Sequence, residues 1–181
     1  MNKLIFILII IILILPLFGC LKNTKDNTEI TDDGIKITKS FGSFIIPEDW
    51  TEITRYSRGG KYFYSHKSEQ VGPSMTNISI ELGRNRYALE DHMTFRYAIL
   101  RQLSMQGGAG TLAASGDYTK QNDPLYIFSF EDIEPQITTI QFYIVGNYRY
   151  ILVHATDFHN GNINDVKAVA QFIVDSFIWA D

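Results

Sequence analysis

His154, Asp157 and His159 form the densest set of metal-ligand side chains in this 181-residue sequence. They lie at the end of a predicted strand and in the loop after it. A divalent ion of zinc type takes at least three such ligands converging at about 2 Å. Side chains alternate along a strand, so His154 and Thr156 share one face while Asp157 and His159 take the other. The three converge only if the chain turns sharply near Asp157; otherwise they are a strand-end histidine and a solvated loop. A second group lies on a predicted helix from Leu89 to Met105. At about 100° per residue, His92 and Arg96 fall inside the apolar arc of Leu89, Leu100 and Leu103. A guanidinium there must find a partner or reach water. It is therefore an anion or carboxylate site beneath a sheet, or a structural arginine that snorkels outward or pairs with an acid such as Glu81. Tyr148 and Tyr150 form a third group, facing away from Ile151 and Val153 on one strand. Polar-tipped aromatics suit half-wet docking surfaces, and they also suit ordinary strands.

Other chemistry lacks its motif. The sequence has no nucleophile elbow, phosphate-cradling loop, zinc-protease helix or dinucleotide fingerprint. Gly107-Gly108-Ala109-Gly110 follows the predicted helix, so it reads as a cap and loop and offers no helix N-terminus to a phosphate. Serine and histidine occur, but no spacing brings them together. The chain is accordingly read as a non-enzyme that needs no cofactor.

Cys20 is the only cysteine, which leaves none for a disulfide, a zinc thiolate site or a second thiol. It follows Lys3, an apolar run from Leu4 to Phe18, and Gly19, the three parts of a secretory signal in order. That run is shorter than the roughly 20 residues a spanning helix needs, and Pro16 disfavours continuing it. Leu17-Phe18-Gly19-Cys20 resembles the lipobox of bacterial lipoproteins. The resemblance implies that residues 1–19 are a cleaved leader and that Cys20, the mature first residue, carries a diacylglycerol with acyl chains of palmitate type. It also implies membrane attachment on the extracytoplasmic face, since two chains hold far more firmly than one. An ordinary signal peptide and an uncleaved short anchor are the alternatives.

The formal charge is −4, and loss of Lys3 with the leader makes it one unit more negative. That argues against a nucleic-acid partner, which calls for basic patches. Residues 20–33 are polar and read as a tether. Residues 34–181 are enough for one domain with its own core, burying about 70% of its unfolded surface.

Within that domain, short alternating strands are predicted around Ile35 to Ile37, Phe44 to Ile46, Tyr62 to His66 and Ile78 to Leu82. On the last of these, Asn77, Ser79 and Glu81 face away from the apolar set. Further strands follow the first helix at Thr111–Tyr118, Leu125–Phe130 and Ile137–Val145, and a Gly146-Asn147 hairpin turn of type II′ leads into Tyr148–Thr156. The chain closes with a helix from Ile163 to about Trp179, whose stripe is Val166, Val169, Ala170, Ile173, Val174 and Phe177. The expected class is α+β, an antiparallel sheet flanked by helices.

Phe44-Ile45-Ile46-Pro47-Glu48-Asp49-Trp50 resembles the opening of PsbP-like domains, a group that includes DcrB-like and Mog-type bacterial lipoproteins. Val169 to Phe177 is similar to the last helix of that group. The resemblance implies an α/β/α sandwich and an extracytoplasmic accessory or assembly role. It supplies no catalytic motif and so no site residue to transfer. A cystatin-like sheet wrapped on a helix is the alternative architecture. The expected function is a lipid-anchored binding or accessory module that touches another envelope or membrane protein. The alternative is a receptor for a small ligand or metal, using the aromatic sheet face or His154, Asp157 and His159.

Overall fold

The computed structural model of the chain describes residues 26–69, 71–72, 75–106, 111–131, 138–158 and 163–180. Two antiparallel sheets carry the fold. The smaller is ordered β1 (Asn27–Thr31), β2 (Gly34–Lys39), β3 (Gly42–Ile46) and β11 (Ile178–Trp179). The larger has seven strands, in the order β4 (Trp50–Glu52), β5 (Lys61–His66), β6 (Asn77–Arg84), β10 (Arg149–Asp157), β9 (Thr138–Gly146), β8 (Pro124–Glu131) and β7 (Thr111–Tyr118). Two helices complete it, α1 (His92–Gln106), entered through a single 3-10 turn at Leu89–Asp91, and α2 (Ile163–Ser176).

The period of two along the central strands creates two cores. On β9, Ile140, Phe142 and Ile144 point to one side, and Tyr143 and Val145 to the other. The first side is covered by α2 and the smaller sheet. Val166, Ala170, Ile173 and Val174 form the buried stripe of α2 and meet Phe44, Ile46, Ile78, Ile151 and Phe177. The second side is covered by α1, whose Phe95 and Leu103 press on Tyr126, Phe128, Tyr143 and Leu152. The expected α+β class holds, with a large sheet between α1 and a layer made of α2 and the small sheet. None of the described helices is long and apolar enough to cross a membrane.

Local departures from the sequence reading have physical causes. Leu89 and Met93 are exposed, and the buried face of α1 is turned toward Phe95 instead. The Phe95 ring packs tilted against Tyr150 at 5.3 Å and edge-on against Tyr143 at 5.9 Å, an aromatic contact that Leu89 does not make. The last helix stops at Ser176, short of Trp179. The Ser176 hydroxyl donates to the Ile173 carbonyl and accepts the Ile45 N–H at 2.9 Å, which turns the chain onto β3 as β11. The hairpin after β9 turns on Asn147 and Tyr148, one residue later than Gly146-Asn147, and the left-handed residue is Tyr148 at φ 57°. The Tyr148 N–H donates to Tyr87 and its carbonyl accepts from Asn85 N–H, while the Asn147 side chain accepts from Leu89 N–H.

The polar stretch expected as tether ends earlier than Asp33. Asn27–Thr31 pairs with β2, and Asp26 accepts a 2.9 Å ion pair from Lys39. Lys39 is only 5% exposed, pairs also with Glu52 at 3.2 Å and lies over the Tyr62 ring. Burial opposes its charge, but the two carboxylates outweigh burial and raise its pKa above the ordinary lysine value.

Candidate functional site

The face of the large sheet that α1 covers over β8 and β9 is open over β5, β6 and the far half of β10. A cavity of about 610 Å³ lies there, within the range of small-molecule sites. Its floor is set by register. Ser79 on β6 is the ladder partner of Phe63 on β5 and of His154 on β10, so the three side chains stand in one row across the sheet.

The walls follow from local sequence. Gly59 and Gly60 take φ of 63° and 82°, the left-handed pair that a primed two-residue hairpin turn demands. Arg58 and Lys61 flank that turn as a bridged pair with reciprocal N–H to carbonyl bonds of 3.0 and 3.2 Å. Both cationic residues line the cavity. Phe63 is held by the preceding loop: its N–H donates to the Ser57 hydroxyl at 3.0 Å, and its carbonyl accepts from Ile53 N–H at 2.7 Å. Tyr56 meets the Phe63 ring edge-on at 6.3 Å. Met75 and Phe158 close the opposite side.

Polar groups in this cavity are short of partners. Ser79 is 3% exposed, and its hydroxyl makes no hydrogen bond to any described residue. His154 is half-buried beside it and likewise unpartnered. Burial first, and the charge of Lys61 second, push the His154 pKa down to about 4, so the imidazole is neutral at pH 7. Lys61 sits 3.9 Å from Glu81. Arg58 has no carboxylate partner among the described residues.

The other sequence candidates are dispersed. Asp157 is buried on the opposite face from His154, where it accepts the Thr76 hydroxyl at 3.1 Å. His159 lies outside the described residues, as do Cys20 and residues 1–19. No group of three His, Cys, Asp or Glu among the described residues is placed to hold a metal. His92 and Arg96 do come together, with Tyr126. His92 Nδ1 and the Tyr126 hydroxyl share a 2.6 Å hydrogen bond, and the Arg96 guanidinium lies over the Tyr126 ring at 5.5 Å. They line a smaller recess of about 380 Å³ at the β7 edge that also contains Asp117. Arg96 is not paired with Glu81, which faces Lys61. Tyr150 belongs to the aromatic core beneath α1, whereas Tyr148 is exposed in its turn, so the two tyrosines form no shared patch.

Sequence reasoning missed Phe63, Met75, Lys61 and Arg58. The signal was present in β6, where Asn77, Ser79 and Glu81 put a polar face on an interior strand. An interior strand with one polar face is one whose second side is not packed in a core.

No family model matches this chain, and no curated protein matches it. Among solved structures, it is similar to the solution structure of cyanobacterial PsbP (CyanoP) from Synechocystis, with TM-score 0.51, 12% identity, and coverage of 91% of this chain and 99% of that one. A crystal structure from Bacteroides thetaiotaomicron aligns at TM-score 0.48 and 12% identity, covering 87% of this chain and 50% of that one. The first likeness shows the fold: an α+β architecture of PsbP-like type.

Proposed function

We propose that this chain is an extracytoplasmic binding module, held at the membrane through lipid on Cys20, which takes a small molecule into the cavity over β5, β6 and β10. The observation that carries the reading is the open half-face itself. Over its interior strands the sheet packs one side under α2 and the small sheet and half of the other under α1, and the remaining half carries apolar walls together with polar groups that have no partner among the described residues. Phe63, half-buried, and Met75, buried, give the hollow apolar walls of the kind that small-molecule sites have.

Binding is favoured over catalysis. Ser79 and His154 stand side by side, but no acid among the described residues orients the imidazole, since Asp157 lies on the other face. A histidine whose pKa is near 4 is also a weak base at neutral pH. A thermal-shift screen of small metabolites on the full chain tests the reading. At least one compound is expected to raise the melting temperature of the parent and not of Ser79→Leu, which obstructs the floor. A screen in which every stabilising compound acts equally on both proteins contradicts it.

A second reading, contact with another envelope or membrane protein, is favoured by β7. That strand is an unpaired edge of the large sheet, exposed from Ala113 to Tyr118, and Met93, Tyr97 and Tyr118 are exposed apolar residues. An open edge with apolar neighbours suits the addition of a partner strand.

A further inference from the structure

We infer that the ligand of the β5–β6–β10 cavity is a small monoanion with an apolar body, of aromatic carboxylate type. This rests on the reading of that cavity as the binding site, and it follows from how charge and hydrogen-bonding groups are distributed around it.

Among the described residues no Asp or Glu lines the cavity, while Arg58 and Lys61 both do. Lys61 already has Glu81 at 3.9 Å, so about one positive charge, that of Arg58, is left uncompensated. A single uncompensated guanidinium matches a monoanion and disfavours a cation, which would meet like charge with no acid to offset it. A carboxylate also fits the guanidinium fork, which can hold both oxygens.

The floor supplies donors of the right kind. The Ser79 hydroxyl has no partner among the described residues and lines the cavity, where it is free to donate to a ligand oxygen. The neutral His154 ring beside it offers one N–H. Both can donate to carboxylate oxygens that also reach toward the cationic rim. Phe63 and Met75 supply the apolar contact, an aromatic face and a side chain able to adapt to irregular shapes. A ligand with a hydrocarbon ring and one carboxylate uses every part of the site.

The test uses the full chain in lipid nanodiscs, with empty nanodiscs as background, and three matched probes: 2-naphthoate, neutral 2-naphthalenemethanol and cationic 2-naphthylmethylammonium. Titration calorimetry is expected to show one 2-naphthoate per chain, bound at least tenfold more tightly than the alcohol, with the ammonium weakest. Arg58→Gln, on an exposed side chain whose loss leaves the melting temperature unchanged, is expected to weaken 2-naphthoate about tenfold and leave the alcohol as it was. Ser79→Ala is expected to weaken 2-naphthoate several-fold. If the alcohol or the ammonium binds as tightly as 2-naphthoate and competes with it, the anion assignment is overturned while the cavity stands. If 2-naphthoate is preferred but Arg58→Gln and Ser79→Ala bind it like the parent, it binds elsewhere and the assignment to this cavity is overturned. If none of the three binds, the aromatic-carboxylate assignment is overturned, and the cavity reading is decided separately by the thermal-shift screen against Ser79→Leu.

Discussion

Ser79 on β6 stands directly across from His154 on β10, and neither side chain has a hydrogen-bond partner among the described residues. Both line the cavity, where water or a ligand can reach them. Their placement at the bottom of a hollow with apolar walls and a cationic rim is what the proposed binding site rests on.

The neutral state of His154 sets a pH dependence. Its folded pKa, about 4, lies below its unfolded value near 6.5, so between those limits the unfolded chain takes up a proton that the native chain does not. The contribution is fully present above pH 6.5 and is lost as pH falls toward 4. Its slope is at most about 1.4 kcal/mol per pH unit, reduced by the ring's partial exposure. Urea denaturation at pH 7 and pH 5 is expected to show a smaller acid loss for His154→Gln than for the parent. Equal losses would show that the ring titrates normally in the fold.

Tyr64 carries a buried hydroxyl with no partner among the described residues, in a ring that meets Phe44 edge-on at 5.8 Å. An unmade hydrogen bond in a core costs about 1–3 kcal/mol. Tyr64→Phe keeps the ring and removes the hydroxyl, so stability measured by urea denaturation is expected to rise by about 1 kcal/mol. A loss of that size would mean that the hydroxyl has a partner in solution.

The sequence made much of the frame legible, for reasons that particular residues show. Alternation in Ile78 and Ile80 marked a strand and its buried face, and the stripe Val166, Ala170, Ile173 fixed α2. The face of α1 was harder, because only the partner sheet shows that Phe95, and not Leu89, meets an aromatic surface. The pairing of Ser79 with His154 was out of reach from one chain, since the two are far apart in sequence and only the order β6, β10 makes them neighbours. Gly59-Gly60 was a readable turn signal that, once taken up, would have put Arg58 and Lys61 at one end of a hairpin.

Ser79 beside His154 also invites a hydrolase reading, which a chemical probe can separate from binding. A fluorophosphonate labels serines made nucleophilic by a base. With the imidazole a weak base and no acid behind it among the described residues, Ser79 is expected to stay unlabelled after prolonged incubation of the full chain. Stoichiometric labelling of Ser79, read by peptide mass, would reassign the cavity to acyl-transfer chemistry.

Membrane attachment through Cys20 has its own readout. The native protein is expected in the membrane fraction, with an N-terminal peptide that begins at Cys20 and carries the added mass of a diacylglycerol. Cys20→Ala is expected to lose that mass and the modification-dependent processing. An intact leader or a free thiol on the native protein contradicts the anchor.

The most direct test of the cavity as the binding site is photo-crosslinking of the full chain with an aromatic carboxylate bearing a diazirine, followed by peptide mass mapping. Label is expected on peptides carrying Phe63, Ser79 and His154, and unlabelled 2-naphthoate is expected to suppress it. Label confined to α1 and β7, or label that 2-naphthoate does not suppress, would contradict the account.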